Sequence, residues 1–175
     1  MALNLEQKKA VVKEVADTAS SALSVVAAEY RGLTVAEMSE LRRASLKANV
    51  EVRVVKNSLA KRALKDTDHA CMNDILLGPL VLAFAKDDPG GAARVMRDFA
   101  KDNDKLKVTG LSMGEELLDA SMLKQVADLP TYEQAIAMLM GVIKAPVEKL
   151  VRTLNEPQGK LVRTLAAVRE QKDAA

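Results

Sequence analysis

Leu23-Ser24-Val25-Val26-Ala27-Ala28-Glu29-Tyr30 is followed by Arg31-Gly32-Leu33 and then by Thr34-Val35-Ala36-Glu37. The first eight residues are largely apolar and carry the β-branched pair Val25-Val26, which suits a buried strand. Arg31-Gly32 breaks it. Thr34 and Glu37 have the spacing of a capping box, in which the hydroxyl accepts from the Glu37 amide and the carboxylate reaches back to the Thr34 amide. A helix therefore opens at this point and runs to about Ala48, with Met38, Leu41 and Leu46 inward. Val50 to Val55 alternates as a second strand. The resulting β-α-β unit predicts two parallel strands joined by a right-handed crossover.

Upstream, Asn4 can cap a first helix that ends near Ser20. Leu5, Val11, Val12 and Val15 form its apolar side, and Lys8, Lys9 and Lys13 lie away from it. Downstream, Lys56-Asn57-Ser58 opens a third helix, with Leu59, Ala60, Ala63 and Leu64 on one side and Lys61, Arg62 and Lys65 on the other. Residues 66–74 are polar and without pattern. Pro79 to Ala85 reads as a third strand, Asp87-Asp88-Pro89-Gly90-Gly91 as a turn, about Ala92 to Asp102 as a helix with Val95, Met96 and Phe99 inward, and Leu106 to Met113 as a fourth strand. The expected class is α/β: over residues 1–114, a ferredoxin-like α/β plait with one inserted helix. Residues 115–144 read as a helical region and linker, with helices over Leu117 to Leu129 and over Thr131 to Ile143, the second opened by a capping box from Thr131 and Gln134. Residues 145–175 read as a long amphipathic helix that Pro157 and Gly159 should kink or interrupt.

That last segment contains a repeat. Lys149-Leu150-Val151-Arg152-Thr153-Leu154 recurs as Lys160-Leu161-Val162-Arg163-Thr164-Leu165, with Pro146 and Pro157 in the same relation. Eleven residues make almost three helical turns, so both copies present one face in nearly the same direction. Val147, Leu150, Val151 and Leu154 form the first apolar stripe; Leu161, Val162, Leu165 and Val168 form the second. Such a stripe can pack on its own domain. A core is not periodic at eleven residues, however, whereas a row of like binding sites is. The sharper expectation is two consecutive docks for one kind of helical partner.

Composition narrows the chemistry. Residues 1–65 hold 12 Lys and Arg against 7 Asp and Glu, residues 66–148 hold 8 against 14, and residues 149–175 hold 6 against 3. A basic first third on a chain of net charge +2 suggests a polyanion-binding face. Arg31 follows the first strand, Lys56 and Asn57 follow the second, and parallel strands end on the same side of a sheet. Arg42, Arg43 and Lys47 come from the connecting helix, Lys61 and Arg62 from the next. These cations, Asn57 and the close backbone approach allowed by Gly32 suit phosphate binding, although the same residues suit ordinary solvated faces. Tyr30, Phe84, Phe99 and Tyr132 are the only aromatics, which disfavours base stacking and favours folded RNA read by backbone and shape.

No catalytic set can be assembled, and no metal or cofactor is expected. His69, the single histidine, reads as a surface residue. Cys71 excludes an internal disulfide and reads as a small buried apolar group in a reducing compartment. Gly90-Gly91 is turn chemistry, and Asp87-Asp88 and Glu115-Glu116 read as solvated. Without a membrane-length apolar run or a signal-peptide pattern, a cytoplasmic protein is expected.

Tyr30-Arg31-Gly32-Leu33-Thr34, Leu41-Arg42, Val54-Val55-Lys56-Asn57-Ser58-Leu59, Gly78-Pro79 leading to Ala83-Phe84, Phe99-Ala100-Lys101 and Leu129-Pro130 resemble, in this order, the family of bacterial ribosomal protein ten of the large subunit, the base of the ribosomal stalk. The resemblance covers nearly the whole chain. It implies an N-terminal α/β plait that binds the GTPase-associated region of large-subunit ribosomal RNA beside ribosomal protein eleven. It also implies a C-terminal helix that carries dimers of the stalk protein (seven/twelve), which recruit translation GTPases. Some members also bind their own messenger leader and repress its translation. By position, Arg31, Gly32, Lys56 and Asn57 match the RNA-binding motifs; Ser58 stands where many relatives carry Thr. Two repeat units predict two stalk dimers and a five-chain complex. The alternative function is a ribosome-independent adaptor whose repeat pairs with helices of another protein.

Overall fold

A computed structural model describes residues 4–103, 105–114 and 116–173. The elements are α1 (Leu5–Ser20), β1 (Ser24–Glu29), α2 (Val35–Lys47), β2 (Val50–Val54), α3 (Asn57–Leu64), a 3₁₀ turn (Ala70–Asp74), β3 (Leu80–Ala85), α4 (Gly91–Asp102), β4 (Lys107–Met113), β5 (Glu116–Asp119), a second 3₁₀ turn (Ala120–Met122), α5 (Leu123–Ala127) and α6 (Tyr132–Asp173). They form two compact units, the first ending at Thr131 and the second beginning at Tyr132.

The first unit is built on one sheet of order β2-β3-β1-β4-β5, antiparallel at every neighbouring pair. β1 and β2 both run against β3, so they are parallel to each other, with β3 between them. Helices α2 and α4 pack on one face and complete the plait. On that side lie Val26, Ala28, Val81, Ala83 and Ala85 of the strands with Leu41, Met96 and Phe99 of the helices. The inserted helix α3 joins α1 on the other face, where Val25, Ala27, Leu80, Leu82 and Phe84 meet Val15, Ala19, Ala60, Ala63 and Leu64. Cover on both faces explains the continuous apolar runs of β1 and β3: alternate side chains enter different cores, and neither set faces water. Each fully buried Leu or Phe contributes about 1.5–3 kcal/mol.

Both expected caps of the plait are present. Asn4 and Gln7 close a capping box on α1, and Thr34 and Glu37 close one on α2. The Glu37 carboxyl is held below the usual range, first by the Thr34 amide.

Several expectations give way. The segment after Gly114 begins as strand β5 rather than as a helix from Leu117, and the helix there shrinks to α5. β4 would otherwise present an unpaired edge, and Glu116–Asp119 satisfies it, with Met113 opposite Glu116 and Leu111 opposite Leu118. Leu46 is exposed, not inward. One turn on from Leu41 the buried position is Ser45, whose hydroxyl donates to the Leu41 carbonyl at 2.7 Å. His69 is buried, not on the surface. Its Nδ1 lies 2.9 Å from Ser112 Oγ and its Nε2 lies 3.1 Å from the Ala22 carbonyl. Cys71 is half-buried beside the same hydroxyl, at 3.3 Å.

Asp88 is not simply solvated either. It pairs with Arg94, whose guanidinium also donates to the carbonyls of Ala127 and Leu129, fastening the end of α5 to α4. Asp87 accepts from Asn49 Nδ2 at 2.8 Å. Glu115 lies outside the described residues.

The second unit is α6 alone. It runs unbroken through Pro146 and also through Pro157 and Gly159, where a kink or interruption is expected. Each proline removes one backbone hydrogen bond, and the many remaining bonds of the 42-residue helix carry it past both.

Candidate nucleic-acid interface and docking helix

The strand register assembles the first site. Glu29 stands opposite Leu80 and Val54 opposite Val81, so β1 and β2 leave the sheet at the end where β3 begins. Arg31-Gly32 and Lys56-Asn57 therefore flank Gly78-Pro79. A shallow cleft there is lined by Tyr30, by residues 54–58 and by Gly78, Pro79 and Leu80. Asn57 Nδ2 donates to the Gly78 carbonyl at 2.8 Å and to the Leu76 carbonyl at 3.4 Å. The Tyr30 amide donates to the Pro79 carbonyl at 3.4 Å. Asn57 thus braces the cleft, while the Lys56 side chain is exposed on its rim. Gly32 (φ +95°) and Gly78 (φ +85°) occupy left-handed backbone that a side chain would strain. A Cβ on Gly78 would also lie 3.1 Å from Glu29 Oε1.

Charge pairing separates two groups of cations in this unit. Arg53, Lys86, Arg94, Arg97, Lys101 and Lys105 all make ion pairs. Among the described residues Arg31, Arg42, Arg43, Lys56, Lys61 and Arg62 make none, which leaves them available to phosphate. Within the paired group, Arg53 of β2 reaches Glu14 at 2.7 Å and Glu51 at 2.6 Å, and Lys86 reaches Glu51 at 3.0 Å. Burial pushes the Glu51 carboxyl up, but Lys86 and Arg53 together outweigh it and hold the group below its usual range.

The expected cations do not all converge. Arg31, Gly32, Lys56 and Asn57 meet at one end of the sheet. Lys61 and Arg62 continue from there along α3. Arg42 and Arg43 are exposed on α2, which covers the opposite face of the sheet. The structure adds Lys8, Lys9 and Lys13, which line a groove between α1 and α3 with Leu5, Val12, Leu59 and Arg62. Their position off the apolar stripe of α1 is a sequence signal; their proximity to Arg62 is not, because nothing local pairs α1 with α3.

The second site is the face of α6. No residue of this helix is buried. Val147, Leu150, Val151, Leu154, Leu161, Val162, Leu165 and Val168 are all exposed, from 49% at Val168 to 73% at Leu154. The two copies also match in detail: Thr153 Oγ1 donates to the Leu150 carbonyl at 2.7 Å, and Thr164 Oγ1 donates to the Leu161 carbonyl at 2.9 Å. Ion pairs Lys144–Glu148 and Glu156–Lys160 brace the helix at 2.9 and 3.3 Å.

Neither site has reactive chemistry. The one histidine is spent on buried hydrogen bonds, with Nε2–H donating to the Ala22 carbonyl. Among the described residues no group of three or more His, Cys, Asp or Glu could hold a metal ion, and no helix is long and apolar enough to cross a membrane.

Comparison with known proteins agrees with this division. The family model for ribosomal protein L10 matches residues 3–101. The model for the ribosomal protein uL10 C-terminal region matches twice, over residues 129–155 and 153–175. The large ribosomal subunit protein uL10 of Thioalkalivibrio sulfidiphilus is 60% identical over 100% of this chain and 99% of its own length. That of Coxiella burnetii is 55% identical over 99% of this chain and all of its own length. That of Teredinibacter turnerae is 54% identical over the whole of both. With matches along nearly its entire length and relatives more than half identical, the chain belongs to the ribosomal protein L10 family of large ribosomal subunit proteins.

Proposed function

We propose that this chain is the base of the large-subunit stalk, a scaffold that joins ribosomal RNA to an array of small helical proteins. As a large-subunit ribosomal protein it is not an enzyme, and it works in the cytoplasm. The first unit, residues 1–131, binds the GTPase-associated region of large-subunit ribosomal RNA beside ribosomal protein eleven. Arg31, Gly32, Lys56 and Asn57 meet the RNA backbone at the sheet end. Lys61 and Arg62 extend the contact along α3, and Arg42 and Arg43 offer a separate contact from α2. The second unit docks dimers of the stalk protein (seven/twelve) through Val147, Leu150, Val151 and Leu154 and through Leu161, Val162, Leu165 and Val168. Those dimers recruit translation GTPases.

The observation that carries this reading is the contrast between the units. The first buries every helix against its sheet and leaves its candidate cations without carboxylate partners, as a phosphate-binding surface requires. The second buries nothing and repeats its apolar face. An exposed apolar face of this extent marks a surface for a partner.

Salt tests the reading. Binding of the full chain to a transcript of the GTPase-associated region should weaken steeply as salt rises, because counterions are released at each phosphate contact. Retention of the stalk dimers should hardly change, because apolar burial is insensitive to screening. An RNA affinity independent of salt would reject the RNA arm. Absence of the stalk protein from the purified complex would turn the reading toward a ribosome-independent adaptor.

A further inference from the structure

We infer that the cleft at the sheet end takes one unstacked nucleobase of the RNA, held against Tyr30; the inference rests on the RNA-binding reading above. The cations around this site suit phosphate, but they leave the cleft itself without a task. Tyr30, Val54, Val55, Pro79 and Leu80 form most of its wall. Val54 is 44% exposed there, an apolar side chain that nothing covers. A phosphate gains nothing from such a wall, because it would give up water without a hydrogen bond in return. A base does gain. Its flat faces stack on apolar and aromatic groups, and only its edges need polar partners.

The placement of the aromatics supports a base. Phe84 and Phe99 are buried in the two cores, and Tyr132 belongs to α6. Tyr30 is the one aromatic of the first unit outside those buried positions, and it lies in the cleft. The scarcity of aromatics disfavours a stacked run of bases, and the structure leaves room for a single one. The cleft has a volume of about 460 Å³, toward the small end of the range for small-ligand sites.

The polar groups are arranged to match. Lys56 is exposed on the rim and Arg31 follows Tyr30 directly; neither makes an ion pair among the described residues. A nucleotide whose base enters the cleft keeps its flanking phosphates at the mouth, where these cations stand. Asn57 spends its Nδ2 on the Gly78 and Leu76 carbonyls, which fixes the amide. Its Oδ1 and the Ser58 hydroxyl are the side-chain polar atoms left to meet a base edge.

The test uses the full chain and a transcript of the GTPase-associated region, with each unpaired nucleotide in turn made abasic, so that the base is lost and the backbone kept. One abasic position should weaken binding about 5- to 150-fold, the loss of one base–aromatic stack. Tyr30→Leu should weaken the parent RNA by a like factor and should add nothing on that abasic RNA. Its salt slope should match that of the unsubstituted chain, because stacking releases no counterions. Tyr30→Phe keeps the ring and should bind as the unsubstituted chain does. Equal binding of every abasic RNA by the unsubstituted chain would overturn the base pocket, whether or not Tyr30→Leu folds, and would keep the phosphate reading. An abasic loss that persists in full in Tyr30→Leu would place the base elsewhere and overturn it too, as would a Tyr30→Phe defect as large as that of Tyr30→Leu. No binding of the parent transcript would sink the RNA reading and the base pocket together.

Discussion

Lys56 and Asn57 are adjacent on the cleft rim and have separable roles. Asn57 holds the Gly78 and Leu76 carbonyls, so Asn57→Ala should cost about 1–3 kcal/mol of stability in the first unit and weaken RNA binding with it. Lys56 touches no carboxylate, so Lys56→Ala should leave thermal unfolding unchanged and lower the salt slope of RNA binding by about one. Melting curves and salt titrations of the two variants, side by side, check both. An equal loss of melting temperature in Lys56→Ala would mean that this lysine supports the fold. Glu51 gives a pH prediction. Its folded pKa is depressed by Lys86 and Arg53 against the opposing effect of burial. It therefore contributes stability above the unfolded pKa and loses it as pH falls through the folded value. The group is partly exposed, so the contribution is at most about 1 kcal/mol. Urea unfolding of Glu51→Gln should show that deficit at neutral pH and none in acid. A deficit that persists in acid would assign the loss to packing.

α6 keeps two prolines inside a helix whose apolar residues are all exposed. Proline in an exposed helix interior costs about 3 kcal/mol relative to alanine. Pro157→Ala should therefore raise the helical signal that survives heating, with RNA binding unaffected. Unchanged thermal helicity would indicate that Pro157 sits at a break in solution. β5 teaches a different lesson. Its four residues carry no strand period of their own, and Leu117-Leu118 fits a helix equally well. The signal that was present is Gly114, directly after β4 and at φ +63°.

The division into two units makes a further test. Truncation after Thr131 should leave a cooperative fold that binds RNA with the full chain's salt dependence and carries no stalk dimers. Loss of RNA binding by a folded truncation would assign part of the RNA contact to α6.

The plait and the exposed apolar stripe of α6 were legible in the sequence because both are periodic on a local scale: caps, alternation and the 3.6-residue repeat are set by neighbours along the chain. The eleven-residue repeat belongs to the same class, and so do the strand ends that bring Arg31 and Lys56 to one side of a sheet. Other features depended on contacts between distant segments. α3 chose the face already occupied by α1, which set Lys8, Lys9 and Lys13 beside Arg62 and parted them from Arg42 and Arg43. The open edge of β4 captured residues 116–119. His69 was buried because Ala22 and Ser112, 47 and 43 residues away, supply its two partners. Local chemistry chose the elements, whereas a free hydrogen-bonding edge or a buried partner exists only after the sheet has assembled, and no window of sequence contains it.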